Sequence, residues 1–153
     1  MQLTQKESSL IKDLKGQEQL CIDKYTKHAE CACDPQLKVL FNAIADVERS
    51  HLQTLNSMES GTVPNMNGGG TAPTVPKSFT ATYSSGETQE KKSDCFLCSD
   101  LLATEKHASH LYDTCVFEFK DESARNALGH IQKEEQQHGK SIYDYMQTNS
   151  MYS

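Results

Sequence analysis

Two Glu-x-x-His strings, Glu48 to His51 and Glu135 to His138, place a carboxylate and an imidazole one helical turn apart. Residues at i and i+3 share a helix face, so each string can reach a single cation. One carboxylate and one imidazole are too few ligands, but two further carboxylates, Glu18 and Glu105, sit on apolar stripes. The pattern is a repeat: Glu18, Tyr25, Asp34, Ile44, Glu48 and His51 recur, 87 positions on, as Glu105, Tyr112, Asp121, Ile131, Glu135 and His138. These six are the only identities when residues 18–51 are laid over 105–138, where chance gives roughly two, drawn from common types. Each half thus offers one Glu on its first helix and Glu-x-x-His on its second, the ligand set of a carboxylate-bridged pair of metal ions inside four helices.

Charge argues the same way. Glu18, Glu48, Glu105 and Glu135 together carry −4 when ionised, and two divalent cations cancel it. Without cations, burial and like charge would force some of them to hold protons. In the usual pattern the Glu of each Glu-x-x-His bridges both ions and the other Glu is terminal. Carboxylate with imidazole and no thiolate favours iron or manganese, and zinc also binds such donors. Tyr25 and Tyr112 follow Glu18 and Glu105 by two helical turns and point into the same core. They read either as aromatic filling or as hydroxyl donors to a metal-bound carboxylate on a facing helix.

Four helices are needed to position these groups. Apolar residues at steps of three and four, with Glu18 and Tyr25 among them, predict a first helix over 4–32. Asp34 as N-cap and Pro35 at the first helical position open a second, which Gly61 ends. A third helix is expected from about Asp94, and a fourth from the cap Asp121. Residues 60–93 have no helical period and contain Pro64, Pro73, Pro76 and the Gly68, Gly69, Gly70 run. Only a short extended piece at 79–83 suggests strand. Tight turns near Cys33 and Lys120 make each helix pair antiparallel. A 25-residue helix is about 38 Å long, and about 12 extended residues span it. The 60–93 segment can therefore run back along the bundle and leave the second and third helices parallel. The expectation is one all-α domain over 1–153: helix pair 4–59, one long crossover 60–93 and helix pair 94–147.

Composition narrows the function classes. The net charge is −6 without a basic cluster, which makes nucleic acid a poor partner. No apolar run reaches the length of a membrane span. Residues 1–17 are polar and carry no signal-peptide core, so the chain is expected to stay in the cytoplasm where it is made. Of the six cysteines, Cys21 and Cys115 read as core filling. Cys31 and Cys33 have the wrong spacing for a zinc ribbon, and Cys95-x-x-Cys98 lacks the second pair that a rubredoxin-like site needs. Cys95 and Cys98 near a helix N-terminus would have lowered thiol pKa values and redox activity, or be plain thiols. Together with Cys31 and Cys33 they could also cross-link subunits. His28, His107, His110 and His130 read as surface or interface residues, and Glu134, next to Glu135, as facing solvent.

The two motifs and their setting resemble the ferritin-like superfamily, which includes ferritins, bacterioferritins, rubrerythrins and dimanganese catalases. The resemblance covers both helical halves. Within it the chain looks most like the bacterial spore coat F-type family, on Leu3-Thr4, Gln17-Glu18, Tyr25 and the tail KEEQQHGKSIYDYM at 133–146. That resemblance implies a ferritin-like four-helix bundle in a spore-forming bacterium, with a place in the spore coat among copies of itself or other coat proteins. The residues and the resemblance are compatible with two functions. One is a metal-stabilised structural or assembly protein that self-associates. The other is a di-iron or di-manganese enzyme: a rubrerythrin-like peroxidase, a ferroxidase or a manganese catalase. The lack of a rubredoxin-like donor and the short chain weigh against a self-contained rubrerythrin and a catalase. Iron storage in a cage is a third reading.

Overall fold

The computed structural model describes residues 1–66 and 74–152. The glycine run at 68–70 lies outside the described residues. Four helices are present: α1 (Gln5–Cys31), α2 (Pro35–Glu59), α3 (Gln89–Glu118) and α4 (Glu122–Thr148). The described residues include no strand, so the extended piece expected at 79–83 is irregular chain. Two bonds from Gln36 to the Thr80 backbone, and two from the Thr82 and Tyr83 amides to Asn149 Oδ1, hold it. Those bonds run to side chains of other elements, so no ladder can form.

Each helix start has a local cause. Thr4 and Glu7 form a capping box for α1, while Asp34 and Asp121 accept from the second or third amide of α2 and α4. Pro35 stands in the first turn of α2. Gly61, at φ +93°, ends that helix in a backbone region that L side chains avoid. The third helix starts at Gln89, capped by Thr88, rather than near Asp94. Its first turns bury Lys91 and Asp94 instead of apolar residues, which hides the start from a hydrophobic pattern. The crossover is correspondingly shorter.

Packing is closest within the pairs α1–α2 and α3–α4, with α1 against α3 and α2 against α4 across the seam. Two carboxylates fix the relative direction of the pairs. Asp94, near the start of α3, accepts from the Cys33 and Asp34 amides at the α1–α2 turn, at 2.8 and 3.0 Å. Glu7, near the start of α1, accepts from the Lys120 amide at the α3–α4 turn, at 3.0 Å. Therefore α2 and α3 run parallel, and the chain between them returns the length of the bundle. No helix among the described residues is long and apolar enough to cross a membrane.

The core has two apolar clusters. One gathers Leu37, Leu40, Phe41, Leu97, Leu101 and Tyr145 with their neighbours. The other gathers Ile11, Leu14, Leu55, Met58, Leu128 and Ile131. Along every helix the six candidate ligands fall between residues of these two clusters. Glu18 lies between Leu14 and Cys21, for example, and Glu105 between Leu101 and Tyr112. The polar layer is thus closed above and below by close-packed side chains.

Candidate metal centre

The helical period brings all six predicted residues into that layer. Glu18, Glu48, His51, Glu105, Glu135 and His138 are each at most 2% exposed. They form two groups, each with ligand atoms within 4.8 Å of one another. Glu18, Glu48, His51 and Glu135 make one; Glu48, Glu105, Glu135 and His138 make the other. Glu48 and Glu135 belong to both. Glu48 turns Oε2 to His51 Nδ1 at 3.2 Å and Oε1 to His138 Nδ1 at 3.1 Å. Glu135 turns Oε1 to His51 at 3.1 Å and Oε2 to His138 at 3.7 Å. Glu18 and Glu105 each face one ring, at 3.7 and 3.4 Å. The two rings stack with centroids 6.0 Å apart. This is an approximate twofold arrangement in which two carboxylates belong to both groups and Glu18 and Glu105 to one each.

The tyrosines cross between the halves. Tyr25 donates to Glu105 Oε1 and Tyr112 to Glu18 Oε1, both at 2.5 Å. Each hydroxyl fixes one oxygen of a terminal carboxylate. The other oxygens, Glu18 Oε2 and Glu105 Oε2, are buried without a hydrogen-bond partner, as is Glu135 Oε2. Buried carboxylate oxygens without partners are costly. Three of them, facing imidazoles and other carboxylates, are acceptors that a cation would satisfy.

Protonation reflects the crowding. Burial, then the Glu105 charge, pushes Glu48 up to about 7. Burial and the Glu135 charge push Glu105 up to about 8. For Glu135, burial and the Glu48 charge act upward, but the neighbouring Glu105, His138 and His51 groups, His51 through the contact at 3.1 Å, hold it below its ordinary value. Burial alone would lower both histidines. Hydrogen bonds that His51 donates to Glu134, Glu135 and Glu48, with Glu18 nearby, instead lift it well above its ordinary value, and the Glu105 charge leads the same effect on His138. The layer therefore holds protons where cations would otherwise neutralise it.

One contact contradicts the sequence reading. Glu134 does not face solvent: it is half-buried and lies 3.2 Å from His51 Nε2, with His130 Nε2 3.0 Å away on its outer side. Its counterpart in the other half is Val47, so no repeat could reveal it. Two openings approach the layer. A cavity of about 250 Å³ is lined by Val47, Thr74, Glu134, Gln137 and His138. Another of about 350 Å³, between α3 and α4, is lined by Leu102, Glu105, Ser109, Glu135 and Gly139.

Cys21 borders this layer, where burial and then the Glu48, Glu18, Glu105 and Glu135 charges push its thiol up. All six cysteines are free, with Cys31 and Cys33 exposed, Cys95 partly buried and Cys21, Cys98 and Cys115 buried. Because α3 begins at Gln89, Cys95 and Cys98 lie beyond its first turn. Burial, followed by the Asp94 charge, pushes the Cys98 thiol up, opposite to the lowering expected at a helix start. His28 pairs with Asp100 at 2.8 Å, and His107 and His110 are exposed.

No curated protein and no solved structure matches the chain. Residues 93–153, which carry Glu105, Tyr112, Glu135 and His138 but not Glu18, Glu48 or His51, match the family model described as Coat F domain.

Proposed function

We propose that this protein is a spore coat component of a spore-forming bacterium, built as a ferritin-like bundle around a pair of divalent metal ions. The supporting observation is the shared layer: two four-residue groups with Glu48 and Glu135 in common, and three buried carboxylate oxygens lacking partners. Glu18, Glu48, His51 and Glu135 would hold one ion, and Glu48, Glu105, Glu135 and His138 the other. Iron or manganese suits these donors best, with zinc as a redox-inert substitute. The ions would cancel the carboxylate charge and tie four helices together, which suits a durable layer. The Coat F match over 93–153 supports the coat assignment and partners that are copies of this chain or other coat proteins. Exposed Cys31 and Cys33 are available for cross-links between such copies once the surroundings turn oxidising.

The experiment is elemental analysis of natively purified protein together with fractionation of purified spores. About two ions per chain and recovery from the coat fraction are expected. A chain that takes up no Fe²⁺, Mn²⁺ or Zn²⁺ overturns the metal reading, and absence from the coat overturns the location. A second reading, a di-metal redox enzyme, is favoured by the cavity that reaches Glu105 and Glu135. Rapid peroxide consumption or ferrous oxidation by the loaded protein would select it. Metal without turnover, with self-association, selects the structural role.

A further inference from the structure

The two halves repeat their ligands but not what stands behind the histidines. An imidazole that ligates through Nδ1 keeps its proton on Nε2, and the group accepting that proton sets the tautomer, the ring orientation and the donor strength. Both His51 and His138 turn Nδ1 to the shared carboxylates. Behind His51 stands a carboxylate, Glu134 Oε1, 3.2 Å from Nε2 and itself held by His130 at 3.0 Å. Behind His138 the twin position is Val47, and both line the same cavity of about 250 Å³. Among the described residues, His138 Nε2 has no carboxylate hydrogen-bonded to it as His51 has; the ring borders the cavity, which Thr74 and Gln137 also line.

We infer that Glu134 makes the two metal positions unequal: it pre-sets His51 as the stronger ligand, so the Glu18–His51 side loads first and the Glu105–His138 side second. This rests on the metal reading above and adds an order of filling to it. The anion at 3.2 Å raises the electron density of the His51 ring and forbids the other tautomer. His138 must select its tautomer and ring orientation as the ion arrives. Losing such an outer partner generally costs about 10–100-fold in metal affinity, and the two positions are expected to differ by a factor in that range.

Zinc alone, titrated into the metal-free full-length chain, tests this by calorimetry and by ¹⁵N-histidine NMR. In the wild type we expect two resolved steps, with the His51 ring signals shifting at the first equivalent and those of His138 at the second. Glu134→Gln keeps the shape and a hydrogen-bond acceptor but removes the charge. It should weaken the first step by about tenfold or more, leave the second in place and merge the two. Val47→Glu gives His138 the missing anion and should strengthen the second step. Equal steps in the wild type, His138 signals that shift first, or a Glu134→Gln titration identical to the wild type would each overturn the order while leaving the metal reading intact. A wild-type chain that binds no zinc overturns both.

Discussion

Beside the carboxylates of the second hairpin stand Ser109 and Gly139; at the same places in the first stand Ile22 and Leu52. The two small residues help line the cavity of about 350 Å³ that touches Glu105 and Glu135. Behind the histidines the contrast runs the other way, with Glu134 3.2 Å from His51 Nε2 and its twin Val47 lining one cavity with His138. The repeat therefore conserves what converges on the centre and varies what surrounds it. A repeated set of carboxylates and imidazoles need not give two equal positions, because donor strength and access depend on the neighbouring shell.

The comparison is tested first by the ligands themselves. Glu48→Ala and Glu135→Ala each remove a carboxylate common to both groups, so elemental analysis should find both ions lost from either variant. Glu18→Ala and Glu105→Ala each remove a group from one position only, and about one ion per chain should remain. If all four variants behave alike, the division into shared and terminal carboxylates is wrong.

A bulkier residue at Gly139 addresses access. A Cβ there would meet Leu102 Cδ1 at 3.6 Å, an ordinary contact, so the helix tolerates a side chain. Gly139→Leu, which copies Leu52, should slow metal uptake several-fold in stopped-flow measurements while the final ion count stays the same. Unchanged uptake would show that the opening beside Glu105 is not the route.

The turn carboxylates differ in reach. Asp94 is fully buried and accepts from the Cys33 amide, the Asp34 amide and the Tyr83 hydroxyl. Glu7 accepts from the Thr4 and Lys120 amides. Chemical denaturation should therefore show a loss of about 3 kcal/mol for Asp94→Ala and about 1.5 kcal/mol for Glu7→Ala. A reversed order would mean that the two ends of the bundle are held by something else.

The smallest effect is on pH. In the metal-free protein, Glu48 and Glu105 hold protons up to about 7 and about 8, above their unfolded value of 4.5. Their stabilising contribution is complete below that unfolded value and is lost as pH rises through 7 to 8. His51 and His138, also raised, act with the same sign. Glu134 and Glu135, held low, act oppositely and lose their contribution only in acid. The melting temperature of metal-free protein should fall by a few degrees between pH about 6 and about 9. Loading with zinc should abolish that fall, because bound ligands are already deprotonated. A metal-free melting temperature that rises across this range would count against the proton-holding layer.

The six side chains of the buried layer and the helix pairs were legible because the chain writes them twice, in the same residue types at one offset. Glu134 was not, since its twin is Val47 and its partner lies on another helix. The turn clamps hide differently. Asp94 and Lys120 stand at the repeat offset from Glu7 and Cys33, but the types differ, and in Lys120 and Cys33 the working group is the backbone amide. Side-chain identity cannot register a bond made by the main chain. The start of α3 escaped for a related reason: buried Lys91 donates to the Ser84 carbonyl, a polar contact that no apolar stripe announces.

Those clamps also bear on how the molecule comes apart. The bend of each hairpin is closed by an acid from the opposite hairpin, so neither bend is complete until both pairs have docked. A fragment holding one pair would leave the amide of its bend bare. Opening should then be a single concerted event, in which the amide protons of Cys33 and Lys120, at opposite ends of the bundle, show one common protection factor against exchange with solvent.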